Sequence, residues 1–139
     1  MTRIEAQVYV ATDDGRTEPL GTRVMEIVDD AQQLEIRNPK TSFTAYVPVG
    51  SISRGKALAT TGNGQVAACT ACHLENLQGI GPVPNLAGRS PTYLARQLYD
   101  MKLGTRRGPL AILMAPVVAR LTNSDIVDLA AYMASVKPE

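Results

Sequence analysis

Apolar and polar positions alternate at the start of the chain. Ile4, Ala6, Val8 and Val10 are interleaved with Arg3, Glu5, Gln7 and Tyr9, and Asp13-Asp14-Gly15 follows as a turn signal. A period of two predicts a strand with one covered face. Shorter strands are predicted over 23–28, 34–37 and 43–47, with Pro39 and Pro48 bounding the last. Four short strands bury little apolar area on their own, so they are expected to pack against the rest of the chain or against a partner.

Beyond residue 50 the period lengthens to that of a helix. Ser51 or Ser53 can cap a short helix that carries Gly55, Leu58 and Ala59 and stops at Gly62. A further helix begins at Ser90 with Pro91 in its first turn, shows Leu94, Leu98 and Met101 on one face, and ends at Gly104. The last starts at Thr122, with Asp125 three positions on, and repeats apolar residues at Ile126, Leu129, Ala130 and Met133. Between these two, Pro109 and Pro116 interrupt an apolar stretch and predict a shaped loop around Met114. The chain thus divides into a β-rich extension, residues 1–50, and a mainly α domain, residues 51–139. No internal repeat is present.

Composition narrows the function. A chain of 139 residues has room for one compact core plus an extension. Its longest apolar run, Leu110 to Ala119, is about half the length that a membrane-spanning helix needs. Fourteen Lys+Arg against thirteen Asp+Glu leave no large basic surface to gather phosphates, which argues against nucleic acid as a partner. Five tyrosines, one phenylalanine and no tryptophan are few rings for a core of this size. Either the core is small and aliphatic, or a large non-protein group fills it.

The chemistry is concentrated in five residues. Both cysteines and the only histidine fall in Cys69-Thr70-Ala71-Cys72-His73, a Cys-x-x-Cys-His arrangement that random placement gives with odds on the order of one in ten thousand. Cys-x-x-Cys-His is the attachment signature of c-type haem. Two thiols about one helical turn apart can add to the two vinyl groups on one porphyrin edge, and the next residue then projects an imidazole at the iron. A structural zinc site wants four ligands where this chain offers three. A thioredoxin-like pair wants a preceding strand, whereas Gly62-Asn63-Gly64-Gln65 reads as a turn. A covalent haem also accounts for the shortage of aromatic rings.

The occupant of the sixth coordination position decides what such an iron does. No second histidine exists to fill it, which leaves Met1, Met25, Met101, Met114 and Met133. Met101 and Met133 lie on apolar helix faces and are explained by packing. Met114, in the proline-bounded stretch, is the candidate ligand; its other reading is a buried gap-filling residue. A neutral thioether favours ferrous iron and raises the reduction potential. An iron closed on both faces moves electrons and offers no vacancy for a substrate, so the chain is not expected to be an enzyme.

These residues, with Pro84-Asn85-Leu86-Ala87-Gly88, the run Tyr93-Leu94-Ala95-Arg96-Gln97-Leu98, a later methionine and a C-terminal Leu-Thr-x-x-Asp helix, resemble a small bacterial class I c-type cytochrome over roughly residues 51–139. The first fifty residues have no counterpart in the minimal family pattern. The resemblance implies helices packed around a single haem attached through Cys69 and Cys72, with His73 and Met114 as axial ligands. It implies that the His73 ring N–H is held by the carbonyl of Pro84, with Pro82 as rival, and that Leu86 presses on the haem face. It also implies a close crossing of Gly55 against Tyr132. Arg89, Tyr93, Arg96 and Gln97 sit where they could reach the haem propionates, though each reads equally well as a solvated surface residue. Arg106-Arg107 reads as an exposed loop pair.

The function implied is one-electron transfer between periplasmic redox partners, with export and removal of a signal peptide. An alternative is the electron-accepting cytochrome subunit of a dehydrogenase or oxidase complex, for which the β-rich extension would serve as an interface. A haem enzyme or gas sensor with an open distal site follows only if Met114 does not bind iron. Haem with two ionised propionates adds about −1 or −2, so the holoprotein is expected near neutrality and its associations only weakly salt-dependent.

Overall fold

The computed structural model describes residues 1–5 and 8–139 and divides into two compact units, Met1–Pro48 and Val49–Glu139.

The first unit is built on a four-stranded sheet of β1 (Thr2–Glu5), β2 (Val8–Ala11), β3 (Met25–Val28) and β4 (Phe43–Tyr46), in that order. The alternation from Ile4 to Val10 belongs to two strands rather than one. β1 and β2 run antiparallel with Ile4 opposite Tyr9. A period of two is the same in one long strand as in two short ones, which is why the pattern alone did not divide them. Ala6 and Gln7, which fall within that alternation, lie outside the described residues. β2 pairs parallel to β3 through Tyr9 and Ile27, and β3 pairs antiparallel to β4.

The strand expected over residues 34–37 is not formed. Instead α1 spans Ala31–Glu35, because the Asp30 carboxylate accepts from the backbone N–H of Gln32 and Gln33 at 2.9 and 3.2 Å and caps a helical turn there. Local capping outweighs the β preference of Leu34 and Ile36. Only Met25 and Val28 are buried among this unit's described hydrophobic residues, while Ile4, Tyr9, Phe43 and Tyr46 are exposed. The sheet holds little core of its own.

The second unit is helical. α2 (Ser51–Thr61) follows Gly50, which occupies the cap position in place of the expected serine side chain, and α2 ends at Gly62. α6 (Asn123–Ser135) opens on a reciprocal capping box: Thr122 Oγ1 accepts from the Asp125 N–H at 3.1 Å, and the Asp125 carboxylate accepts from the Thr122 N–H at 2.8 Å. The two helices cross at Gly55. A Cβ there would lie 2.5 Å from the Asp128 carbonyl carbon and 2.9 Å from Tyr132 Cβ, so the backbones meet only because that position has no side chain. α4 (Pro91–Lys102) starts where Ser90 Oγ accepts from the Tyr93 N–H at 3.1 Å. Leu58, Leu94, Leu98, Val118, Leu121, Ile126 and Leu129 form the core that joins these elements.

One element departs from expectation. Residues 111–119 form a helix, α5 (Ala111–Ala119), with Pro116 inside it, where a shaped loop was predicted. Pro116 omits the hydrogen bond to Ile112, and both residues are exposed, so water can satisfy the freed carbonyl and the helix persists. Lys102 Nζ donates to the Leu121 carbonyl and ties the end of α4 to the junction after α5. Among the described residues, no helix is long and apolar enough to cross a membrane.

Candidate functional site

The motif sits on a single turn. Cys69 is the N-cap of α3 (Thr70–His73), and its carbonyl accepts from the N–H of Cys72 at 3.2 Å and of His73 at 2.9 Å. Residues three apart on a helical turn share a face, so both sulfurs project from one side. Cys69 is half-buried and Cys72 exposed; neither forms a disulfide. Burial pushes the Cys69 thiol up to about 11, because desolvation disfavours the thiolate, and it stays protonated at neutral pH.

His73 ends the turn and is 6% exposed. Its Nδ1 lies 2.9 Å from the Pro84 carbonyl oxygen. A carbonyl can only accept, so the proton resides on Nδ1 and the lone pair on Nε2 is free to bind a metal. Pro82, the rival, has no such bond to the ring.

The loop between them is closely tied. Gly79 N–H donates to the His73 carbonyl at 2.9 Å, Ile80 and Val83 exchange backbone hydrogen bonds of 3.1 and 3.0 Å, and Leu86 N–H donates to the Leu77 carbonyl at 2.8 Å. Leu77 is fully buried beneath it. Leu86 and Met114 are half-buried and pack against the core, Met114 from α5. Met133 lies within the core itself at 2% exposure, and Met101 packs on its edge.

The candidate propionate partners lie on α4 and on the turn before it. Arg89 is exposed, and its Nε donates to the Asn85 carbonyl at 2.6 Å. Tyr93 and Arg96 are exposed on α4, and Gln97 is half-buried on the same helix. Arg106 and Arg107 are both exposed, Arg107 bonding back to the Gly104 carbonyl. Gly79 is the residue of this site that sequence reading passed over. Nothing in the linear run Gly79-Ile80-Gly81 distinguishes one glycine from the other.

The family model for cytochrome c matches residues 52–137, and the chain belongs to the cytochrome c family. It is an electron-transfer cytochrome with the class I fold and an N-terminal β extension, and the cofactor of that fold is a covalently bound haem c. Cytochrome c-554(548) of Halomonas halodenitrificans is 41% identical over 55% of this chain and 94% of its own length. Cytochrome c-552 of Acidithiobacillus ferridurans is 38% identical over 96% of this chain, which takes in the β-rich unit, and 61% of its own. The solved cytochrome c4 of Acidithiobacillus ferrooxidans superposes with a TM-score of 0.57 at 37% identity, over 61% of this chain and 49% of that one. A protein of Stutzerimonas stutzeri named thiosulfate dehydrogenase electron acceptor is 35% identical over 49% of this chain and 32% of its own. The chain therefore spans about half of the solved cytochrome c4 and under two thirds of cytochrome c-552.

Proposed function

We propose that this chain carries one haem, bound through Cys69 and Cys72 and ligated by His73 and Met114, and that it relays single electrons between periplasmic redox proteins without itself catalysing a reaction. The observation that carries the reading is the His73–Pro84 hydrogen bond, which presents Nε2 as a bare donor at the end of the turn that carries both thiols. The donor set suits the group. Two thiols on one helical face, one imidazole of fixed tautomer and one half-buried thioether are the side chains that a haem c requires.

When bound, haem supplies a one-electron ferric/ferrous couple. The chain does the rest. Cys69 and Cys72 would hold the group covalently, Pro84 holds the imidazole ring in one orientation and would strengthen its donation, and Met114 would supply a soft, neutral sulfur that favours the ferrous state. Two cysteines and one histidine in the whole chain limit it to one such site.

The visible spectrum and intact mass of the purified holoprotein test this together. The expected result is the added mass of one haem that resists acid extraction, with a low-spin spectrum. An unmodified mass or a high-spin spectrum contradicts it.

A second reading, the electron-accepting subunit of a dehydrogenase complex, is favoured by the relative named thiosulfate dehydrogenase electron acceptor. Size-exclusion of the native protein separates the two: a stable complex with a larger partner favours the subunit, and free elution favours the carrier.

A further inference from the structure

We infer that Gly79 is a positioning residue for the axial imidazole: its bare Cα lets the Pro84 carbonyl reach His73 Nδ1, so the loop sets how strongly the ring donates to iron. The inference rests on His73 being the ligand.

A side chain at position 79 has nowhere to go. Its Cβ would lie 2.6 Å from both the carbonyl carbon and the carbonyl oxygen of Pro84, and closer still to the Val83 carbonyl oxygen. These are backbone atoms, which cannot swing aside as the end of a flexible side chain can. Nor can Val83 and Pro84 retreat. On one side the reciprocal Ile80–Val83 hydrogen bonds close the turn, and on the other the carbonyl of buried Leu77 accepts from both Leu86 and Ala87. Gly79 also holds the other end of the ligand residue, since its N–H donates to the His73 carbonyl at 2.9 Å. His73 is thus gripped twice by one short loop, through its carbonyl by Gly79 and through its ring by the carbonyl that packs on Gly79.

Adding a methyl group forces a shift of several tenths of an ångström, enough to stretch a 2.9 Å bond beyond the normal range. A weaker bond from Nδ1–H leaves the imidazole less anionic and a poorer donor, which favours ferrous over ferric iron and raises the reduction potential.

Gly81 provides the control. Its φ of +56° resembles the +72° of Gly79, so alanine strains both positions in the same way, yet a Cβ at Gly81 meets nothing within 4 Å. The experiment compares holoprotein of Gly79→Ala, Gly81→Ala and the unmodified chain by midpoint potential and by hydrogen exchange of the His73 Nδ1–H in ¹⁵N-labelled ferrous protein. Gly79→Ala is expected to shift the potential upward and to speed that exchange about tenfold or more, with Gly81→Ala near the unmodified protein in both. Two variants that match each other in potential and exchange overturn the inference. If Gly79→Ala yields no holoprotein, the unmodified protein decides: the Gly79 amide and the His73 Nδ1–H are expected to share one protection factor, each taken against its own intrinsic rate, and a ring protection factor a hundredfold below that of the amide overturns the coupling. A change of spectrum showing that His73 is not a ligand would instead remove the reading beneath it.

Discussion

Arg54 on α2 closes a two-pronged ion pair on Asp128 of α6, 74 positions along the chain, with Nε and Nη2 donating to the two carboxylate oxygens at 2.8 and 2.9 Å. The pair lies beside the Gly55 crossing and fixes it from the flank. Asp128 is 8% exposed at its side chain whereas Arg54 is 54% exposed, so the partners are not equivalent. Removal of the arginine strands a buried carboxylate, while removal of both charges does not.

Arg54→Met is therefore expected to lower the thermal midpoint of the holoprotein more than the double variant Arg54→Met/Asp128→Asn. Thermal unfolding followed at the Soret band checks the order. A double variant less stable than the single one would show that the pair does not act as a unit.

Thr122→Ala removes the acceptor for the Asp125 N–H and breaks the capping box that starts α6. A loss of about 1 kcal/mol in guanidinium unfolding is expected, with Thr122→Ser retaining most of the stability. An unchanged midpoint would mean that tertiary packing alone starts the helix.

How far the sequence carried the reading depends on the range of the forces involved. The caps at Ser90 and Thr122 and the stop at Gly62 were legible because each is set by residues within one turn. The Cys69–His73 motif was legible because its spacing is its chemistry. Residues 34–37 misled because a single carboxylate, Asp30, decides between strand and helix. The helix around Met114 was hidden by Pro116, whose missing hydrogen bond costs little on an exposed face. Arg54–Asp128 joins side chains 74 positions apart, and the role of Gly79 depends on the path of an irregular loop, so no local pattern announces either.

Charge is also distributed in a way that the total conceals. Residues 49–139 carry nine Lys+Arg against five Asp+Glu, and residues 1–48 carry five against eight. Even with the propionates added, the haem-bearing unit stays positive, so an anionic small reductant meets a favourable local field. Its second-order rate with the ferric protein is expected to fall as ionic strength rises, although the net charge of +1 alone would give almost no dependence. A flat profile in stopped-flow reduction would contradict this and return the argument to whole-chain neutrality.

The central claim is an iron closed on both faces, and Met114→Ala tests it most directly. In the ferric protein the weak far-red charge-transfer absorption of methionine–iron ligation is expected to be present, to vanish in Met114→Ala, and to survive in Met101→Leu and Met133→Leu, while carbon monoxide binds readily only to the reduced Met114→Ala protein. Rapid carbon monoxide binding to the unmodified reduced protein, or a far-red absorption that Met114→Ala leaves in place, would contradict the account.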